Sequence, residues 1–254
     1  MLRFDKLAAF AAFLLVSTAA TAQTRVDTIW SARYVVTMDA QRRVIENGAV
    51  AVSGDHIVDV GPRAEINRNY RAAARLDRPG AILAPGLINT HTHAAMALFR
   101  GLADDMKLQE WLETVIFPAE AKNTDREFVR WGTRLALLEM ALSGTTTYTD
   151  MYYFEDTVAE VTRQAGMRGV LGQTVINFPA PDYKTPQASL AFLDQFLKNY
   201  ANDPLIVPAV APHAVYTVKD DTLRAARAGE PVRETANHSS FGNEEGKRRL
   251  NSGP

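Results

Sequence analysis

The sequence predicts an α/β protein whose larger part is a parallel sheet covered by helices, preceded by a small β-rich unit. Three observations predict it. Over residues 81–228, apolar strand-like runs alternate four times with helical patterns. Over residues 26–80 the pattern is β throughout, with tight turns. No glycine-rich phosphate loop follows the first strand of the alternating part. A TIM-like (β/α)8 barrel therefore ranks ahead of a doubly wound sheet.

The elements follow in order. At the N-terminus Arg3 and Lys6 give a positive start, and residues 7–16 are apolar. Ala20-Thr21-Ala22 then presents the small-x-small pattern of a signal peptidase site. The apolar stretch is short for a membrane span. Residues 1–22 therefore read as a signal peptide cleaved after Ala22, which places the mature protein in the periplasm or outside the cell. Thr28-Ile29-Trp30, Tyr34-Val35-Val36-Thr37 and Gly48-Ala49-Val50-Ala51-Val52 are β runs. Gly54-Asp55 makes a turn and Ile57 to Gly61 returns, so residues 23–80 form a small antiparallel unit. His56 lies in that turn region, as a solvated residue.

In the alternating part, an apolar strand runs from Ile82 to Ile88 and leads to His91-Thr92-His93. Helices are expected at 108–120 and 125–143, then a strand at 145–150 and a helix at 157–165. Strands at 168–176 and 205–211 are each followed by a helix, at 186–200 and 219–228. A whole barrel takes roughly 250 residues, and this part holds roughly 150, about half of one.

Composition narrows the function. The chain is 46% hydrophobic and 22% charged, with a net charge of -1. No long run of one sign suggests a nucleic-acid or membrane surface, so a small-molecule substrate is expected. There is no cysteine, which excludes disulfides, thiolate metal sites and cysteine nucleophiles. Any metal must be held by His, Asp, Glu or a modified Lys. His91 and His93 are the strongest candidates. On a strand, residues i and i+2 face the same way, and two imidazoles at the C-terminal end of a barrel strand can chelate one ion. The same spacing also suits two polar residues closing a strand end.

The run from Pro85 to His93 resembles the first barrel strand of the amidohydrolase superfamily. Arg100-Gly101-Leu102-Ala103-Asp104-Asp105 with Glu110-Trp111-Leu112 resembles the deaminases of methylthioadenosine and S-adenosylhomocysteine and their triazine-hydrolase relatives. Gly144-Thr145-Thr146-Thr147 with Asp150-Met151-Tyr152 matches the second strand, and Val210 to Thr217 the fourth. The resemblance implies that residues 23–80 are part of a β-sandwich and residues 81–228 the first half of a metal-dependent hydrolase barrel. It implies one divalent ion, zinc ahead of iron, on His91 and His93. His213 would bind the substrate and Trp111 would line the pocket mouth. Asp150 would be a supporting or structural carboxylate. The implied reaction is hydrolytic deamination of an adenosine-like heterocycle by a metal-activated water. Hydrolysis of a cyclic amide or triazine C–N bond is the alternative, and a non-catalytic fragment the second. A homo-oligomer would be unsurprising in intact relatives.

In the resembled family a third His and the catalytic Glu lie in a His-x-Ser-Glu-Thr-like stretch on the fifth strand, and no such stretch is found here. Residues 229–254 lack apolar periodicity and read as disordered or foreign. A permitted back-translation of this segment, read from the second base of each codon, yields His-Leu-Ser-Glu-Thr. The expectation is a frameshift near Ala228, with His238 an accidental residue, no catalytic residue present, and an inactive, poorly soluble chain.

Overall fold

The computed structural model of the protein describes residues 23–228. The expected signal peptide, the tail from 229 and His238 lie outside the described residues. Two compact units divide the chain, Met1–Pro85 and Gly86–Pro254.

In the first unit, β1 (Thr24–Val36), β2 (Val44–Ser53) and β3 (His56–Pro62) precede helix α1 (Arg63–Asn69) and β4 (Tyr70–Leu83). The sheet order is β3-β2-β1-β4. Neighbours β1/β2 and β2/β3 are antiparallel, as the tight turns require; Gly54 takes the positive φ (+58°) of the second turn. β4 corrects the all-antiparallel expectation, because it runs parallel to β1. The cause is α1, which carries the chain from one edge of the sheet to the other. Val26, Ile29, Ala49, Ala51 and Ile66 form this unit's buried cluster. His56 opens β3 and is exposed, its ring beside the Asp55 carboxylate at 2.5 Å.

The apolar run beginning at Ile82 is not one strand. Ile82 and Leu83 end β4, paired with Tyr34 and Val35. Pro85 offers no backbone donor, and β5 (Leu87–Thr92) starts anew, the Leu87 N–H donating to Gly144 O at 2.9 Å.

In the second unit a 3-10 helix (Ala94–Phe99) follows β5. Helix α2 (Leu108–Trp111) continues through a π-helical turn (Leu112–Ile116) into α3 (Phe117–Asn123). Then come α4 (Arg126–Leu142), β6 (Thr145–Tyr152), α5 (Glu155–Ala165), β7 (Arg168–Val175), α6 (Pro186–Asn199), β8 (Ile206–Pro212) and α7 (Asp220–Ala228). The strands lie in chain order, β5-β6-β7-β8, all parallel. This is the expected strand–helix alternation, an α/β fold of the barrel type. Local chemistry sets the breaks. The Asp125 carboxylate accepts from Phe128 N–H at the start of α4, and Thr185 Oγ1 from Ala188 N–H at the start of α6. Gly166 ends α5 in the left-handed region.

The central strands β6 and β7 are buried on both faces, as parallel sheets under helices are. Tyr148, Val158, Leu171, Phe196 and Ile206 anchor the core. β5 and β8 are the edges among the described residues. Gly169 N–H donates to Leu205 O and His213 N–H to Val175 O, so odd-numbered residues of β8 face β7. Ile206, Pro208, Val210 and Pro212 face outward, and two of these four have no N–H. No described helix is long and apolar enough to cross a membrane.

Candidate active site

The site forms where the C-terminal ends of the parallel strands meet the helices after β5, the usual place for chemistry in barrel folds. His91 lies on β5, and His93 one residue past its end, at the start of the 3-10 helix. Their rings meet edge to face, with centroids 5.1 Å apart. His91 is exposed and His93 half-buried.

The end of β6 fixes His93. The His93 Nδ1 lies 2.7 Å from Met151 O. A carbonyl only accepts, so Nδ1 carries a proton, and in the neutral ring Nε2 then holds the lone pair. Asp150 is fully buried. Its Oδ1 accepts from Thr92 Oγ1 at 2.7 Å and from Ala94 N–H at 2.8 Å. Burial pushes the Asp150 carboxyl above the usual range, against the pull of those two donors. Its Oδ2 is buried without a hydrogen-bond partner.

His93 shares a pocket with Trp111 and His213. The pocket is a small cleft, half open to solvent. Its walls are mostly apolar, with Met96, Phe117 and Met151 among them. Phe117 and His213 lie with ring centroids 6.4 Å apart. The His213 Nδ1 is 2.9 Å from Thr217 Oγ1. Burial, then the nearby His93, lowers the His213 pKa, so the ring is neutral at pH 7. Three of the four residues singled out by sequence thus meet on one cavity; His91 stands beside His93 without lining it.

Glu120 of α3 is the residue that sequence reasoning missed. It lines the pocket, is only 4% exposed, and receives the Tyr153 hydroxyl at 3.3 Å. Burial pushes its carboxyl up to about 7.

The donor chemistry suits a metal in part. With Nδ1 committed to Met151 O, His93 offers Nε2, and His91 supplies a second imidazole at the edge of the first. Among the described residues no cluster of three or more His, Asp or Glu is placed to hold an ion. The pair can supply two ligands of the three that catalytic zinc usually takes from protein.

Comparison with known proteins places the chain. The amidohydrolase family profile matches residues 82–248. A bacterial imidazolonepropionase-like composite domain matches residues 48–73. The 5-methylthioadenosine/S-adenosylhomocysteine deaminase 1 of Syntrophus aciditrophicus is 46% identical over 79% of this chain and 45% of its own length. The corresponding deaminase of Syntrophobacter fumaroxidans is 50% identical over 74% of this chain and 43% of its own. Among solved structures, a zinc-bound adenosine deaminase from Xanthomonas campestris matches with a TM-score of 0.79 at 40% identity, over 82% of this chain and 47% of that one. A zinc-complexed atrazine chlorohydrolase from Arthrobacter aurescens, at 22% identity and a TM-score of 0.69 over 79% of this chain and 50% of that one, shares the fold alone. The chain spans about half the length of these relatives. With the family profile running over most of the strand–helix part, and relatives this similar beside it, the chain belongs to the amidohydrolase family.

Proposed function

We propose that this chain carries the first half of the active site of a metal-dependent hydrolytic deaminase acting on an adenosine-like heterocycle. The observation that carries the reading is the meeting of His93, Trp111 and His213 on one mostly apolar pocket, with His91 against His93. The deaminase names of the similar proteins support the same substrate class.

His91 and His93 would hold a divalent ion as two of its ligands, zinc ahead of iron, since imidazole suits both. What such an ion supplies, when bound, is a water acidic enough to attack at neutral pH. His213, neutral and anchored by Thr217, orients a ring nitrogen or the departing amine through Nε2. Trp111 packs against the aromatic ring. Glu120 accepts from a hydroxyl or amine on the far side of the ligand. The apolar walls exclude bulk water.

Binding tests this directly. Zinc-loaded protein titrated with 5-methylthioadenosine should give a saturable calorimetric signal, and His213→Ala should weaken it about tenfold, the loss of one good hydrogen bond. Saturable binding absent from the parent protein would overturn the reading. Ammonia release from the same ligand distinguishes deamination from hydrolysis of another C–N bond.

Export belongs to the same proposal and rests on the pattern from Arg3 to Ala22. N-terminal sequencing of material from the periplasm should begin at Gln23. A mature protein still carrying Met1 would refute it.

A further inference from the structure

Three consecutive residues at the end of β6 grip three consecutive residues around His93. Thr149 O and Asp150 Oδ1 both face the Thr92 hydroxyl, at 2.8 and 2.7 Å. Met151 O takes the His93 Nδ1 proton at 2.7 Å. Asp150 Oδ1 takes the Ala94 N–H at 2.8 Å. One carboxylate oxygen therefore binds the residue before His93 and the residue after it. The strand pairing supports this register, since Thr92 sits opposite Asp150. The pairing between Asn89 and Thr92 is irregular, so the β-ladder alone does not hold this stretch. Side-chain bonds from β6 take over where the ladder fails.

We propose that Asp150 is a positioning residue for His93. It holds the turn from Thr92 to Ala94 so that His93 keeps Nδ1 on Met151 O and presents Nε2 to the pocket. Its hydrogen bonds go to Thr92 and Ala94. Its solitary Oδ2 fits this role. Both bonds that the clamp requires are made by Oδ1, and the second oxygen is left buried without a partner, a cost that packing alone does not explain. The amide oxygen of asparagine can accept the same two hydrogen bonds, and alanine can accept none. The proposal rests on the deaminase reading only in assigning Nε2 its use.

The test is the tautomer of His93, read by long-range proton–nitrogen correlation on histidine-labelled protein in dilute solution. The parent protein should show His93 with the proton on Nδ1. Asp150→Asn should keep it. Asp150→Ala and Thr92→Val should leave a mixture of tautomers. Thr92→Val preserves side-chain shape and carries the test if Asp150→Ala does not fold. The second readout is affinity for cobalt(II), followed by its visible absorption. Loss of the clamp should weaken it about 10- to 100-fold, the usual effect of removing support behind a histidine ligand, with Asp150→Asn close to the parent. Unchanged tautomer and cobalt affinity in a folded Thr92→Val or Asp150→Ala protein would overturn the proposal. If the parent binds no cobalt, the metal reading falls, and the tautomer result alone decides the role of Asp150.

Discussion

Glu120 shows what a single side chain costs and offers. Its carboxyl is raised by burial from an ordinary value of 4.5 to about 7. Between those values the folded chain holds a proton that the unfolded chain has lost. Stability therefore falls as pH rises from 4.5 to about 7, with no further loss from this group above that. The contribution is on the order of 3 kcal/mol. Glu120→Gln should flatten this part of the profile and melt higher than the parent at pH 8, measured by thermal unfolding at pH 5 and pH 8. An equal drop in both proteins would show that the carboxyl is not held as described. The position was not legible in sequence because the burial of one carboxylate on a helix depends on what packs over it, here Tyr153 just past β6, and no local pattern encodes that contact. His91 and His93 stood out as a pair because residues i and i+2 on a strand face the same way, whereas His213 was marked only by the family resemblance.

At the scale of elements, the alternation of strand and helix was readable because its breaks are chemical: Asp125, Thr185 with Pro186, Gly144 and Gly166 each stand where the chain turns. The first unit was less readable. Residues 70–83 lie largely in the stretch read as β, but they are rich in Arg and Ala and mostly exposed, so the local pattern set no bounds for a strand there. It exists because β1 offers it a ladder along most of its length, a contact invisible to local pattern. Helix α4 also hides a constraint. A Cβ on Gly132 would lie 2.2 Å from Ala95 O, backbone of the 3-10 helix. Helix propensity favours alanine there by about 1 kcal/mol, but overpacking against backbone costs about 1–3 kcal/mol or more. Gly132→Ala should therefore destabilise the protein by about 2 kcal/mol, seen as a lower urea midpoint. A raised midpoint would mean that the 3-10 helix yields easily.

At the scale of the whole chain, the described parallel sheet has two open edges, while parallel sheets are ordinarily covered. On β5, Leu87 and Ile88 are exposed, as is Val207 on β8. Concentration-dependent self-association is expected, and Ile88→Lys should reduce it in light-scattering measurements, because a charge on an edge strand blocks pairing. Scattering independent of concentration in the parent would contradict this. The two edges are unequal. Along β8 the outward backbone presents acceptors at four positions but donors only at Ile206 and Val210, since Pro208 and Pro212 have none. β5 holds no proline from Leu87 to Thr92. A strand laid against β8 finds half of its own carbonyls unanswered, whereas one laid against β5 meets no such gap. Strand addition is therefore unequal between the two edges: a newcomer loses half of the facing donors at β8 and none at β5.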